Sequence, residues 1–136
     1  LNKKKNFIVV DFGTATTFDV IKKNNYLGGV IAPGVILSLD NLIKKASLIP
    51  NIKLHKSKSI IGKNTKQAVI SGFFWGYNGL INGIISKIKK KTNQKYEIIF
   101  TGGLAHLFNK DIKDKVTIDK NLTINGLIKV SKHFNL

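Results

Sequence analysis

Three short apolar segments joined by tight links restrict how the start of the chain can fold. Residues 6–11 hold a continuous apolar run, and residues 16–21 and 26–32 are rich in β-branched and aromatic side chains, as strands are. Links this short join strands only in antiparallel pairs, so the sequence predicts a three-stranded meander. Lys22–Asn25 is a predicted turn whose asparagines tolerate positive φ, and Gly28-Gly29 predicts a bulge or a close approach in the third strand.

Helical and strand patterns alternate along the rest of the chain, which predicts an α/β fold. The order favours a mixed sheet with helices packed on it, within one domain spanning 1–136. An exposed loop is predicted for 51–59. The predicted helices are 35–47 (ended by Pro50), about 65–90 (capped by Asn64 or Thr65), 104–109 and 123–133 (capped by Thr123). The further predicted strands are 97–101 and 116–118.

The net charge of +16 favours a polyanionic partner, but the kind of basic residue that supplies the charge weakens that interpretation. All 23 basic residues are lysine, whereas base and phosphate readout relies on the planar guanidinium of arginine. Lysine, isoleucine and asparagine are also the residues of A/T-rich codons, so a compositional bias of the genome explains the pattern. We therefore do not expect nucleic acid as a partner.

Several kinds of chemistry are excluded or weakly supported. The absence of cysteine excludes a disulfide scaffold, thiolate catalysis and a Cys-ligated metal, and a reducing cytoplasm is the simpler expectation. The three histidines are scattered without a partner at ligand spacing, and no nucleophile-elbow motif is present. Candidates for a general base near the first glycine loop are Asp11, Asp19 and Asp40.

An uncharged segment at 67–86 has two interpretations. Its length permits a membrane span, and its Gly-x-x-x-Gly spacings are typical of close helix packing in membranes. Four glycines and two asparagines weaken insertion, and lysines flank both ends. The favoured interpretation is a long, mostly buried helix of a soluble domain whose glycines admit a neighbouring backbone.

The strongest local motif is the run from Asp11 to Thr17, Asp-Phe-Gly-Thr-Ala-Thr-Thr, between two predicted strands. Gly13 lets the backbone approach a ligand, and hydroxyls such as that of Thr14 can donate to phosphate oxygens. A carboxylate at Asp11 would repel a phosphate unless a cation neutralised it. The alternative is an ordinary hairpin with β-branched strand residues.

Two further motifs have both a functional and a plain structural interpretation. Gly102-Gly103 joins a strand to a helix, where glycines admit a flat ligand and the helix start favours an anion; it could also be a routine β–α turn. Thr65 follows Gly62-Lys63-Asn64 and could bond a polar substrate or simply help to cap the long helix. The segment lacks the leading glycine of a Walker A motif.

Together these motifs resemble the type III pantothenate kinases, in the superfamily that includes actin and the sugar kinases. The segments that carry the resemblance, in the family's order, are DFGTATTFD (11–19), GGVIAPG (28–34), IGKNT (61–65), TGGLA (101–105) and the closing NLTINGL (121–127). The resemblance implies a ribonuclease H-like, actin-like ATPase lobe. It also implies ATP-dependent phosphorylation of pantothenate, the first step toward coenzyme A.

The resemblance implies a role for individual residues. Asp11 corresponds to the ligand of a monovalent cation, potassium or ammonium, and Gly13 and Thr14 to an ATP phosphate loop. Gly102 and Gly103 fall in the adenosine-binding motif, and Thr65 matches a threonine that contacts pantothenate. The implied cofactors and partners are ATP with Mg²⁺, pantothenate and a second copy in a homodimer. From the composition and the favoured interpretation of 67–86, we expect neither nucleic acid nor a membrane as a partner.

The chain also departs from the family pattern. The family's first lobe, with its own phosphate loop, and its Gly-x-Asp-Arg segment, which supplies the catalytic base, have no counterpart before Asp11. We therefore expect this chain to be the C-terminal lobe, without a catalytic residue of its own and inactive alone. The alternative from another class is a non-catalytic accessory or regulatory module, possibly associated with nucleic acid.

Overall fold

A five-stranded mixed sheet forms the centre of the computed structural model, which describes residues 1–2 and 4–134. The sheet order is β3-β2-β1-β4-β5. The strands are β1 (Phe7–Phe12), β2 (Ala15–Lys22), β3 (Asn25–Pro33), β4 (Glu97–Gly102) and β5 (Val116–Ile118). β1 to β3 pair antiparallel, whereas β1–β4 and β4–β5 pair parallel. The predicted meander and its extension into a mixed sheet are confirmed.

The bulge predicted at the glycine pair is present in β3. Val20 pairs with Gly28 and Ile21 pairs with Tyr26, so Leu27 is the extra residue. Gly28 adopts a φ of 117°, which few residues other than glycine tolerate. In the preceding turn Lys23 takes the positive φ, at 56°, rather than one of the asparagines we expected to take it.

Four helices lie close to their predicted positions. They are α1 (Val35–Lys45), α2 (Thr65–Thr92), α3 (Ala105–Phe108) and α4 (Leu122–Phe134). Asn64 caps α2, since its side-chain oxygen accepts a hydrogen bond from the Gln67 amide at 2.9 Å. The predicted cap at Thr123 is wrong, because α4 begins at Leu122 and the Asn125 amide donates to the Asn121 carbonyl at 2.8 Å.

The two faces of the sheet are covered unequally. Alternate residues of β1 point to opposite faces, as strand geometry requires. Ile8, Val10 and Phe12 join the main core with α2 and α3, and the ring of Phe12 stacks on Phe108 at 5.4 Å. Phe7 and Val9 belong to a small cluster on the other face, where α4 lies.

Two predictions about burial are wrong. Residues 51–59 do not form a wholly exposed loop, because Ile52 and Ser57 are buried. Only six of the 28 residues of α2 are buried, and a Cβ built on any of its four glycines meets no atom within 4 Å among the described residues. The glycines of α2 therefore do not admit a neighbouring backbone within this chain.

The helix α2 is long and apolar enough to span a membrane by length and composition. Its buried residues include Phe74, Ile81 and Ile85, which pack into the main core. A core helix of a soluble protein passes the same test of length and hydropathy, so the test gives weak evidence for a membrane span.

Candidate functional site

The candidate site lies where the β1–β2 hairpin meets the end of β4. Asp11 sits near the end of β1, opposite Thr17 of β2 and opposite Thr101 of β4. Its neighbours along β1, Val10 and Phe12, point into the main core, so the Asp11 side chain points to the α4 face. The strand thus presents one carboxylate at a polar edge of an otherwise apolar face.

Gly102 brings the backbone of β4 against this carboxylate. A Cβ built at Gly102 would lie 2.6 Å from Asp11 Oδ1 and 2.6 Å from the carbonyl oxygen of Phe12. The φ of Gly102 is +87°, a conformation that glycine adopts at no steric cost. Two segments distant in sequence therefore meet here, and any side chain at position 102 would separate them. Gly103 has open space around its Cβ position.

The tip of the hairpin is tight and exposed. The Gly13 amide donates to the carbonyl oxygen of Ala15 at 3.0 Å, and Gly13 and Thr14 are both exposed. Gly34, at the start of α1, lies directly against the tip, since a Cβ there would be 1.8 Å from the Thr14 carbonyl oxygen. Gly34 therefore packs against one side of the hairpin tip, and the other side of the tip is open to solvent.

A cavity of about 490 Å³ separates the sheet from α4. Its floor is apolar at Val9 and Ile21 and polar toward Asp11. The residues that line it are Leu1, Val9, Asp11, Asp19, Ile21, Tyr26, Thr101, Leu122, Thr123, Asn125, Gly126 and Lys129. The opening of this cavity therefore contains several polar groups: two carboxylates, two threonine hydroxyls, a phenol, an amide and an ammonium group.

The two carboxylates affect each other electrostatically. Partial burial raises the pKa of Asp11 above its ordinary value, and the charge of Asp19 raises it further. Tyr26 donates its phenolic hydrogen to Asp19 Oδ1 at 3.1 Å, and this hydrogen bond is the main cause of a raised Tyr26 pKa. The part of the Asp11 shift that comes from the charge of Asp19 is one that a bound cation would offset.

The structure brings together some of the residues singled out from the sequence and separates others. Asp11, Gly13 and Gly102 lie side by side, with Thr14 at the adjacent hairpin tip. Thr65 is exposed at the start of α2 and does not line the cavity at Asp11. A smaller cavity of about 250 Å³ lies beside the start of α2, lined by Gly62 and Gln67 among others.

Sequence reasoning did not assign Tyr26 or Lys129 to the site. Tyr26 reaches Asp19 only because the bulge at Leu27 shifts the register of β3. Lys129 reaches the cavity only through the placement of α4. The tyrosine at the start of a strand and the lysine of a helix carried no local signal, since both are common surface residues.

The oxygen groups around Asp11 fit a hard cation. Carboxylate and hydroxyl oxygens are the ligands that such cations prefer, and Asp11 and Thr101 are strand partners with both side chains lining the cavity. No group of three or more His, Cys, Asp or Glu that could hold a metal occurs among residues 1–2 and 4–134. A cation here would therefore need further ligands from a bound substrate or water.

Comparison with protein families supports the resemblance seen in the sequence. The family model for type III pantothenate kinase matches residues 1–87. A type III pantothenate kinase of Pelagibacter ubique is 59% identical over 131 residues, which cover 96% of this chain and 53% of that protein. The chain spans about half the length of the curated relatives it matches.

Solved structures show a related fold. A Campylobacter jejuni protein described as a Baf family transcriptional activator is 26% identical, with a TM-score of 0.67, covering 97% of this chain and 60% of that one. The Alp12 filament protein is 20% identical, with a TM-score of 0.61, covering 98% and 49%. Together with the sheet order and the family match, these neighbours place the chain in the actin-like ATPase fold.

Proposed function

Since this chain belongs to the type III pantothenate kinase family, we propose that it forms one half of an enzyme that phosphorylates pantothenate with ATP. The γ-phosphoryl group of ATP would pass to the pantothenate hydroxyl, giving 4′-phosphopantothenate on the route to coenzyme A. The observation that carries this proposal is the meeting of Asp11 and Gly102 beside an exposed Gly-Thr hairpin.

The hairpin and the glycine pair are proposed to bind the nucleotide. Gly13 leaves room for a phosphate at the tip, and Thr14 has an exposed hydroxyl that can donate to its oxygens. The backbone at Gly103 faces open space, so no side chain obstructs a flat ring there, while Gly102 brings β4 against Asp11 and Phe12 beside it. Phosphoryl transfer depends mostly on positioning and charge stabilisation, which are the properties these residues provide.

Asp11 is proposed to hold the monovalent cation, with Thr101 as a neighbouring oxygen ligand. A bound potassium or ammonium ion, together with Mg²⁺ on the phosphates, would offset the negative charge gathered at this edge of the sheet. Asp19 adds charge to the same opening, and Tyr26 holds its carboxylate in place through their hydrogen bond.

Pantothenate is proposed to contact Thr65 at the start of α2. Thr65 does not line the smaller cavity, but that cavity, lined by Gly62 and Gln67, gives space for a polar molecule on the same turn of chain. The catalytic base and the remaining nucleotide contacts would come from the half of the relatives that this chain does not span. A homodimer and a cytoplasmic location belong to the same proposal.

A chimera tests the proposed function. In it this chain replaces the 131-residue stretch that it matches in the Pelagibacter ubique relative. We expect the purified chimera to convert ATP and pantothenate to ADP and 4′-phosphopantothenate, detected by mass spectrometry. The native relative is the positive control. A folded chimera that binds ATP but phosphorylates no pantothenate would contradict the proposal.

Two observations favour a second candidate function, a non-catalytic regulatory module that binds DNA. The related Campylobacter jejuni protein is described as a transcriptional activator, and this chain carries a net charge of +16. Binding to duplex DNA that shows sequence preference and persists at physiological ionic strength would support this candidate. Binding that disappears with added salt and ignores sequence would reflect charge alone.

A further inference from the structure

Tyr77 of α2 holds the junction between β3 and α1 through its phenolic oxygen. That oxygen lies 3.0 Å from the carbonyl oxygen of Pro33 and 3.1 Å from Ser38 Oγ. A phenol has one hydrogen and a carbonyl can only accept, so Tyr77 donates to Pro33 and accepts from the Ser38 hydroxyl. Pro33 is the last residue of β3 and Ser38 lies near the start of α1. One side chain of α2 therefore fixes both elements where they join.

This junction lies directly against the hairpin tip formed by Gly13 and Thr14. Gly34 follows Pro33 in the chain, and it is buried. A Cβ built at Gly34 would lie 1.8 Å from the Thr14 carbonyl oxygen and 3.0 Å from that of Gly13. A shift of the junction would therefore move the tip or remove its support on that side.

The ring of Tyr77 reaches the other end of the tip through aromatic packing. Its centroid lies 6.3 Å from that of Phe108, and the Phe108 ring stacks on Phe12 at 5.4 Å. Phe12 directly precedes Gly13. The hydroxyl of Tyr77 thus acts on the tip at Gly34, and its ring acts through Phe108 at Phe12.

The tip itself is open to solvent and has little to hold it. Gly13 and Thr14 are exposed, and the Gly13 amide donates to the Ala15 carbonyl oxygen across the turn. Ordering such a segment around a ligand costs conformational entropy, which lowers affinity. A tip that is already fixed by its neighbours binds without that cost.

From this we propose that Tyr77 is a positioning residue for the phosphates of the nucleotide. Its hydroxyl fixes Pro33 and Gly34, and this junction keeps the tip in the conformation that receives the phosphates. The adenosine part, proposed to lie at Gly102 and Gly103, does not depend on the bond to Pro33. The inference rests on the proposed nucleotide site and adds a residue that need not touch the ligand.

Tyr77→Phe in the chimera described above tests the inference, because it removes the hydroxyl and keeps the ring. The dissociation constants of ATP and adenosine are measured by NMR titration. We expect ATP to bind about fivefold more weakly than in the parent chimera and adenosine to change by less than about twofold, as for one lost hydrogen bond that acts on the phosphates alone. The KM for ATP should rise by a similar factor, whereas the KM for pantothenate should not.

Tyr96→Phe is the matched control. The Tyr96 side chain lies in the same core, and its hydroxyl is buried without a hydrogen-bond partner among the described residues. The same chemical change there should leave the affinity for ATP unaltered. A second variant, Ser38→Ala, removes the other bond of the Tyr77 hydroxyl and keeps the test decisive if Tyr77→Phe does not fold. It should weaken ATP in the same direction and add little in the Tyr77→Phe background, since the two residues act together.

Two results would overturn the inference. One is an unchanged affinity for ATP in the folded variants. The other is an equal loss of affinity for ATP and adenosine with a lowered melting temperature, which would indicate a purely structural role.

The activity of the parent chimera separates this inference from the proposed function. ATP binding that depends on Tyr77, in a chimera that phosphorylates no pantothenate, would support the inference and contradict the function. An active chimera whose ATP affinity is the same in Tyr77→Phe would support the function and overturn the inference. A folded chimera that binds no ATP would overturn both.

Discussion

Because Gly102 has no side chain, the end of β4 can approach the end of β1 closely. The backbone there has a φ of +87°, and a Cβ would lie 2.6 Å from the Asp11 carboxylate. Gly103, the next residue, has no such neighbours. The pair therefore offers a matched comparison of a required glycine with a permissive one.

We predict that Gly102→Ala destabilises the protein by about 1–3 kcal/mol, because it adds backbone strain and a clash with Asp11 and Phe12. Gly103→Ala should change stability by less than about 1 kcal/mol. Urea unfolding of the two variants and the parent chain measures both values. Equal losses in the two variants would show that the close approach at Gly102 is not a constraint.

The ionised carboxylate of Asp11 lowers the stability of the folded chain. Burial and the charge of Asp19 raise its pKa above 3.8, so its ionised form is less favourable in the folded chain than in the unfolded one. The native state therefore binds more protons between 3.8 and the raised pKa, and stability falls as the pH rises through that window.

We predict that Asp11→Asn raises the melting temperature at pH 7, since it removes the unfavourable charge. The gain should shrink as the pH falls toward 3.8, where the native carboxyl is protonated. Asp40→Asn, at an exposed acid of α1, is the control. A variant less stable than the parent at pH 7 would mean that the carboxylate makes a favourable interaction instead.

The neighbours of Asp11 were predictable only in part. Asp11, Gly13 and Gly102 carried signals in the sequence, because an acid before a glycine hairpin and a glycine pair between a strand and a helix suit ligand binding, although each also has a plain structural use. Tyr26 could not be assigned, since its contact with Asp19 depends on the bulge at Leu27 and on a register fixed by tertiary pairing.

The positions of the strands and helices could be predicted closely from local sequence patterns. The packing of these elements against one another could not. The apolar run of β1 and the Asn64 cap of α2 are local features, and both occur where the sequence predicts them. Which side of a helix is buried depends on what other units are present. That information is not local, which is why the burial of α2 was not foreseen.

The glycines of α2 give a prediction for the isolated chain. Gly76→Ala should stabilise it by about 0.5–1 kcal/mol, because a Cβ there meets no atom within 4 Å and alanine favours a helix. Gly62→Ala should destabilise it, since a Cβ there would lie 2.2 Å from the Ala68 nitrogen. Thermal unfolding at low protein concentration measures both changes. A loss of stability in Gly76→Ala would show that another segment packs against α2.

For the whole molecule, the charge is less informative than the motifs. Three ion pairs join described residues: Lys5 with Glu97, Lys56 with Asp111 and Lys89 with Asp114. The first pair is exposed and the other two are partly exposed; pairs in contact with solvent add little to stability, and the other lysines are consistent with a solvated surface. The proposed nucleotide and cation would occupy a small part of a surface with 23 lysines, so the high charge does not decide the function.

The dependence of kinase activity on potassium tests the central claim most directly, because it joins Asp11 to the proposed reaction. Initial rates of pantothenate phosphorylation by the chimera are measured over a potassium titration, for the parent, Asp11→Ala and the control Asp40→Ala. We predict that potassium activates the parent and the control, whereas Asp11→Ala has low activity that potassium does not raise. Potassium activation of Asp11→Ala equal to that of the parent would contradict the assignment of this cavity as the cation and nucleotide site.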